Sequence, residues 1–236
     1  MSPMAQLGAA GATFIGTHLV MSHPLRRPLV SLLGEGGFRI LYSVVALATF
    51  GWMIHAWMAV PATAPAYVPG DLVWGVATAV MWFASVLLAG SFFGNPALPA
   101  PPGIAASAAR RDPMGVFAIT RHPMMWSFAL WGIVHTAIWP TPENHALAGI
   151  ITLMALIGSA GQDLKKARLM ADAWMTWRRR TSFFPFAGQL TGQRGWHVTW
   201  PGWGVLGLGT LIWLIATWAH TPLGGRVAAG IWRWVG

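Results

Sequence analysis

The sequence predicts an all-α, polytopic bundle of transmembrane helices, with about six spans and a C-terminal interfacial helix, and three observations predict it. Charge is scarce: 15 basic and 6 acidic residues in 236, or 9%, against about 25% in an ordinary globular domain. Hydrophobic residues make up 55% of the chain, and the mean hydropathy of +0.54 excludes a disordered polymer as firmly as a soluble one. Windows of about 20 mostly apolar residues, the length needed to cross a bilayer, recur six times between charged or Gly/Pro-rich breaks.

The first window covers about residues 4 to 22. It lacks a basic start and a cleavage site, since Met1 is followed directly by Ser-Pro-Met, so a cleaved signal peptide is not expected. The second covers 38 to 60 and the third 72 to 93. Pro96 to Pro102 then reads as a loop within one domain spanning residues 1 to 236. The fourth window, 123 to 139, opens on Pro123, a residue favoured at the first helical position. It lies close to the fifth, 146 to 162, across Pro140-Thr141-Pro142. The sixth covers 203 to 220, and the segment Arg226 to Val235 is too short to span and mixes Trp with Arg, which suits an interfacial helix.

Orientation follows from the basic residues. Arg26, Arg27 and Arg39 fall between windows one and two, and Arg110, Arg111 and Arg121 between three and four. Lys165, Lys166, Arg168, Arg178, Arg179, Arg180 and Arg194 follow window five, leaving only Arg226 and Arg233 for the other side. The three charged loops are therefore expected in the cytoplasm, and a multi-pass protein of a bacterial inner membrane is the expected setting. The net charge of +9 is explained by this bias, so nucleic acid is not an expected partner, whereas the lipid bilayer is. Sixteen tryptophans fit interfacial belts and lipid-facing positions.

With no cysteine, disulfides, CxxC redox chemistry, thiolate zinc sites and iron–sulfur clusters are all excluded. What chemistry the spans carry rests on histidine. His18, His55, His135 and His220 lie within or at the end of windows and His122 opens the fourth, while His23, His145 and His197 fall in loops. An ionisable residue in a bilayer is a functional hypothesis by default. No HxxxH pair of the kind zinc sites favour is present. Lone histidines on separate helices suit axial ligation of a haem, one imidazole on each face of the iron; equally, each could hydrogen-bond a neighbouring helix.

Depth along the helices bears on pairing. At about 1.5 Å per residue, His135 lies ~18 Å above Pro123, His55 ~24 Å above Arg39 and His18 ~12 Å above Arg26. This favours His55 with His135 slightly over His18 with His135. Gly132 and Trp131 precede His135 by one turn and Gly51 and Trp52 precede His55, and such small residues would let a flat ring approach. Thr120-Arg121-His122-Pro123 places a cation and an imidazole beside a helix N-terminus, where they could bind a haem propionate or a phosphate, or serve as an interfacial anchor and cap. Arg178-Arg179-Arg180 and the Thr181 to Phe186 segment carry the same pair of readings.

Gly34-Glu35-Gly36-Gly37-Phe38-Arg39-Ile40-Leu41-Tyr42-Ser43, Ile119-Thr120-Arg121-His122-Pro123 with His135 thirteen residues on, and Arg180-Thr181-Ser182-Phe183-Phe184-Pro185-Phe186 together resemble the NnrU family. That family includes denitrification-associated bacterial proteins and 15-cis-zeta-carotene isomerases, and the resemblance runs from about His18 to His220. It implies a haem b protein with His18 and His135 as ligands of the metal, His55 as the alternate ligand in an exchange on reduction, and His122 as the Arg-His-Pro histidine. His220 falls near a family histidine usually followed directly by Pro, but Thr221 intervenes here.

The activity implied first is haem-dependent cis–trans isomerisation of a hydrophobic polyene by His18, His55 and His135. A second reading is a non-catalytic or redox haem protein binding nitric oxide. A third follows from a similarity to membrane methyltransferases that use S-adenosylmethionine, although the acidic pair and the Phe-Gly-x-x-Tyr pattern of that group are missing and Asp163 and Asp172 stand alone. Self-association into a homo-oligomer stays open.

Overall fold

The computed structural model describes residues 1–98, 102–223 and 227–235, and among them it is all-α, with no strand. The elements are α1 (Pro3–Ser22), α2 (Arg26–Met58), α3 (Asp71–Gly90), α4 (Pro102–Arg110), α5 (Val116–Ile119), α6 (Pro123–Ile138), α7 (Pro142–Met170), α8 (Asp172–Arg180), α9 (Ala187–Leu190), a 3₁₀ turn (Trp196–Thr199), α10 (Trp203–Leu223) and α11 (Trp232–Val235). A helix occupies each of the six expected windows. Four of them, α2, α3, α7 and α10, are long and apolar enough to cross a membrane. With 16 residues, α6 spans only about 24 Å against a hydrocarbon core of about 30 Å.

Local chemistry explains the boundaries. The hydroxyl of Thr141 accepts from the Asn144 N–H and Pro142 takes the first position of α7, a start four residues earlier than the hydropathy window. Pro123 opens α6 as expected. α2 begins twelve residues before its window because Arg26 to Leu33 forms about two helical turns set off by Gly34, whose φ of 69° is reached freely only by glycine. The C-terminal segment differs from the expected interfacial helix: only Trp232–Val235 is helical, and Arg226 lies outside the described residues, as do positions 99–101 of the expected Pro96 to Pro102 loop.

The long helices form an open row in the order α2, α1, α7, α6, α3, α10. Gly132 on α6 sits against Thr152 and the Ala148 carbonyl of α7, where any Cβ would collide. The glycine expected to admit a flat ring thus serves helix–helix contact instead. All three basic loops gather at one end of the row. There α4, α5, α8, α9 and the 3₁₀ turn build a cap whose core holds Trp174, Trp177, Phe117, Ile119 and Leu87. At the far end the α2–α3 connection crosses the row: the Ala66 N–H donates to the Pro140 carbonyl, Thr63 Oγ1 donates to Glu143 Oε2 at 2.8 Å and the Tyr67 hydroxyl donates to the Ala137 carbonyl at 2.6 Å.

Candidate functional site

Three of the histidines share one local geometry. Nδ1 lies 2.8 Å from the carbonyl of the residue four earlier: Phe14 for His18, Trp131 for His135 and Ala216 for His220. A carbonyl only accepts, so in each case Nδ1 carries the proton and donates, and the neutral ring is left with its lone pair on Nε2. A metal-binding imidazole takes this form, with the other ring N–H held by a backbone carbonyl. Helical periodicity supplies the partner at i−4.

His135 and His220 come together at the far end of the row. Their ring centroids are 6.0 Å apart with planes 33° from parallel, although they stand on α6 and α10, which both pack on α3. The Trp131 indole stacks on His135 at 4.0 Å and 25°. Behind it, Asn144 Nδ2 donates to the carbonyls of His135 and Trp139, both at 2.7 Å, closing the end of α6.

His18 and His55 are not brought to this pair. Gly11 of α1 packs on Ile150 of α7 and His23 on Gly161, so α1 and α7 run in register and His18 stands level with the region of Ile157. His135, placed near Leu147 by the contact of its α6 neighbour Gly132 with Ala148 and by the bond from Asn144 of α7 to its carbonyl, is therefore about 15 Å away along the row. His18 instead meets Tyr42 edge-on at 5.4 Å. His55 is at the right depth, since its neighbours Met53 and Ala56 pack with Leu7, Ala10 and Leu147, but its own side chain lies on the exposed face of α2.

Arg121 and His122 form a different arrangement at the basic end. Arg121 Nε and Nη2 grip the Asp163 carboxylate at 2.6 to 3.0 Å, Nη1 donates to the Thr181 carbonyl at 3.3 Å, and His122 Nε2 donates to Asp163 Oδ1 at 3.0 Å. The Phe183 ring lies 5.3 Å from the guanidinium and 5.4 Å from the imidazole. Its carbonyl accepts from Thr120 Oγ1 and Trp126 Nε1, and the Arg121 N–H donates to the Ser182 carbonyl. Burial pushes the His122 imidazole below its ordinary pKa range, against the opposing pull of Asp163.

These contacts decide what the motifs do. The Arg-His-Pro corner and the Thr181 to Phe186 segment, read separately from the sequence, dock on each other. Asp163, which stands alone in the sequence, is their shared acceptor. The guanidinium of Arg121 is committed to protein oxygens, and it lies about 20 Å along α6 from His135, so one haem could not touch both and the propionate role does not fit. The two terminal nitrogens of Arg180 are likewise committed, donating to Asp112 and to the Ala109 and Arg110 carbonyls that end α4.

A macrocycle held by two imidazoles fits the His135–His220 end by donor chemistry. Two metal–nitrogen bonds of about 2 Å, plus about 1 Å from each nitrogen to its ring centre, separate the centroids by about 6 Å. Among the described residues no cluster of three or more His, Asp or Glu is present, so the donor set matches a group that brings its own equatorial ligands. Against known proteins, residues 6–227 match the NnrU protein family. No curated protein and no solved structure matches the chain.

Proposed function

The chain belongs to the NnrU family, and from that premise we propose that it is a haem b protein of the bilayer that isomerises a cis double bond in a membrane-dissolved polyene. The observation that carries the haem reading is the enforced tautomer: apolar helices present imidazoles whose Nε2 lone pairs have no hydrogen-bond partner among the described residues. Such groups are stabilised by a metal and by little else in apolar surroundings. All six long helices would cross the membrane, α6 with help from its neighbours, and the basic end would face the cytoplasm of a bacterial cell.

When bound, a haem held by His135 would supply the iron chemistry that lowers the barrier to rotation about the double bond. The protein's part is to hold and to exclude. His135 is clamped by Trp131 above and by the Trp131 carbonyl through Nδ1, so its ring has one orientation. The open row leaves apolar helix faces in contact with lipid, and a polyene reaches them without leaving the bilayer. Isomerisation needs no proton donor.

The buried Arg-His-Pro corner argues against the methyl-transfer reading. His122 is 3% exposed and Phe183 fills the space beside it, where a cosubstrate would have to enter.

The test is an optical spectrum of detergent-purified protein, oxidised and then reduced, followed by incubation with a cis-polyene. Six-coordinate b-type bands and conversion to the trans isomer on reduction support the proposal. A haem protein that binds nitric oxide but leaves the polyene unchanged would replace isomerisation with nitrogen-oxide chemistry. A protein that neither holds nor takes up haem would overturn both.

A further inference from the structure

We propose that the second axial imidazole opposite His135 is His220, not His18. The inference rests on the haem reading above and specifies its ligand pair, and it is carried by geometry rather than by motif. His220 and His135 are 6.0 Å apart between ring centres, the spacing of two imidazoles sharing one metal. Each has Nδ1 bound to its own helix at 2.8 Å, which leaves Nε2 of both rings without a partner among the described residues.

The surrounding scaffold is built to hold the two rings together. α6 and α10 both pack along α3, so the distance between them is set by that shared neighbour. α10 is drawn close to α3 where Gly209 meets the Val86 backbone, and Trp82 Nε1 donates to Thr210 Oγ1 at 2.9 Å on the same seam. The C-terminal segment closes over α10: Trp232 Nε1 donates to the Leu214 carbonyl at 3.3 Å and to Thr217 Oγ1 at 3.2 Å, one turn before His220. Asn144 secures the other side through the His135 carbonyl.

His18 cannot take this place without a shift of about ten residues along the α1–α7 register, which Gly11 against Ile150 and Gly161 against His23 both oppose. α10 runs on through Thr221 and Pro222 to Leu223, and the Nδ1 bond of His220 to Ala216 is in place.

The experiment loads purified full-length protein with haem b and reads coordination by electron paramagnetic resonance and by redox titration, not by turnover. His220→Met should remain six-coordinate with a raised reduction potential, because a His/Met pair favours reduced iron. His220→Ala should become five-coordinate and high-spin, regain the low-spin signal on adding imidazole, and lose haem affinity by more than the ~10- to 100-fold typical of an outer partner. His18→Met and His18→Ala should match the parent protein.

A low-spin bis-imidazole spectrum that survives His220→Ala and collapses in His18→Ala overturns this pairing and leaves the haem reading standing. Failure of the parent protein to take up haem overturns both. His220→Met guards against a folding artefact, since it keeps a ligand and a similar volume at the position.

Discussion

Around Arg121, at the basic end, each nitrogen of the guanidinium has a protein acceptor, whereas at the far end His135 and His220 each keep one ring nitrogen without a partner among the described residues. Both regions are polar islands in an apolar chain, and by sequence the first looks the more functional, with a cation, a histidine and a helix N-terminus in four residues. The structure reverses the order. A polar cluster that satisfies itself is a fastening, while an unsatisfied lone pair held in one orientation is an invitation to a ligand. In this chain the distinction separates the residues that hold the cap on the helices from those that are candidates for chemistry.

The sharpest way to break the comparison is to remove the acceptor of the fastening. Asp163→Ala leaves the Arg121 guanidinium buried and unpaired and should cost about 3–5 kcal/mol, read as a large fall in the denaturation midpoint and in yield from detergent. Asp163→Asn, which keeps a single acceptor, should fall between. If Asp163→Ala unfolds like the parent, the corner is not a fastening.

Next in size is Asn144→Ala, which deletes two hydrogen bonds at the end of α6 and should cost about 1–3 kcal/mol. Because the His135 carbonyl still accepts from the Trp139 N–H, the helix should persist, and the change should show as a broadened haem spectrum more than as lost fold.

A third outcome concerns pH. Folded His122 is held neutral by burial, below its ordinary value of 6.5, with Asp163 and Arg121 as its charged neighbours. The unfolded chain therefore takes up this proton first as pH falls through about 6.5, and stability should decline from pH 7 toward 5, by at most about 1.4 kcal/mol per unit. His122→Gln, which can still donate to Asp163, should flatten that decline in a series of thermal melts. The smallest effect is expected for Arg233→Ala at the far end. Its partner Asp71 is largely exposed, so the change should move stability by less than about 1 kcal/mol despite the contact with Trp74.

Much of the fold was legible because hydropathy reports long apolar helices directly. All six windows became helices, and the start of α6 at Pro123 was readable from its proline. The early starts of α7 and α2 fall outside the hydropathy windows, although Thr141-Pro142 carries a capping signal, because such a window ignores polar caps. The cap at the basic end was hidden by its charges: α8 reads as a basic loop, yet Trp174 and Trp177 on one of its faces are almost wholly buried. Within the site, the helix positions of His18, His55 and His135 were clear, but which of them meet depends on helix order. Nothing in the spacing says that α3 packs against both α6 and α10, so spacing alone assigns His220 no partner. Asp163 stands alone in the sequence for the same reason, since its partners are 41 and 42 residues away.

The central claim is that ligand binding belongs to the far end and fastening to the basic end. It is tested most directly by measuring haem content and thermal midpoint together for His135→Ala. The account predicts a folded protein, with a midpoint near that of the haem-free parent, that no longer retains haem. Full haem loading in His135→Ala would contradict it.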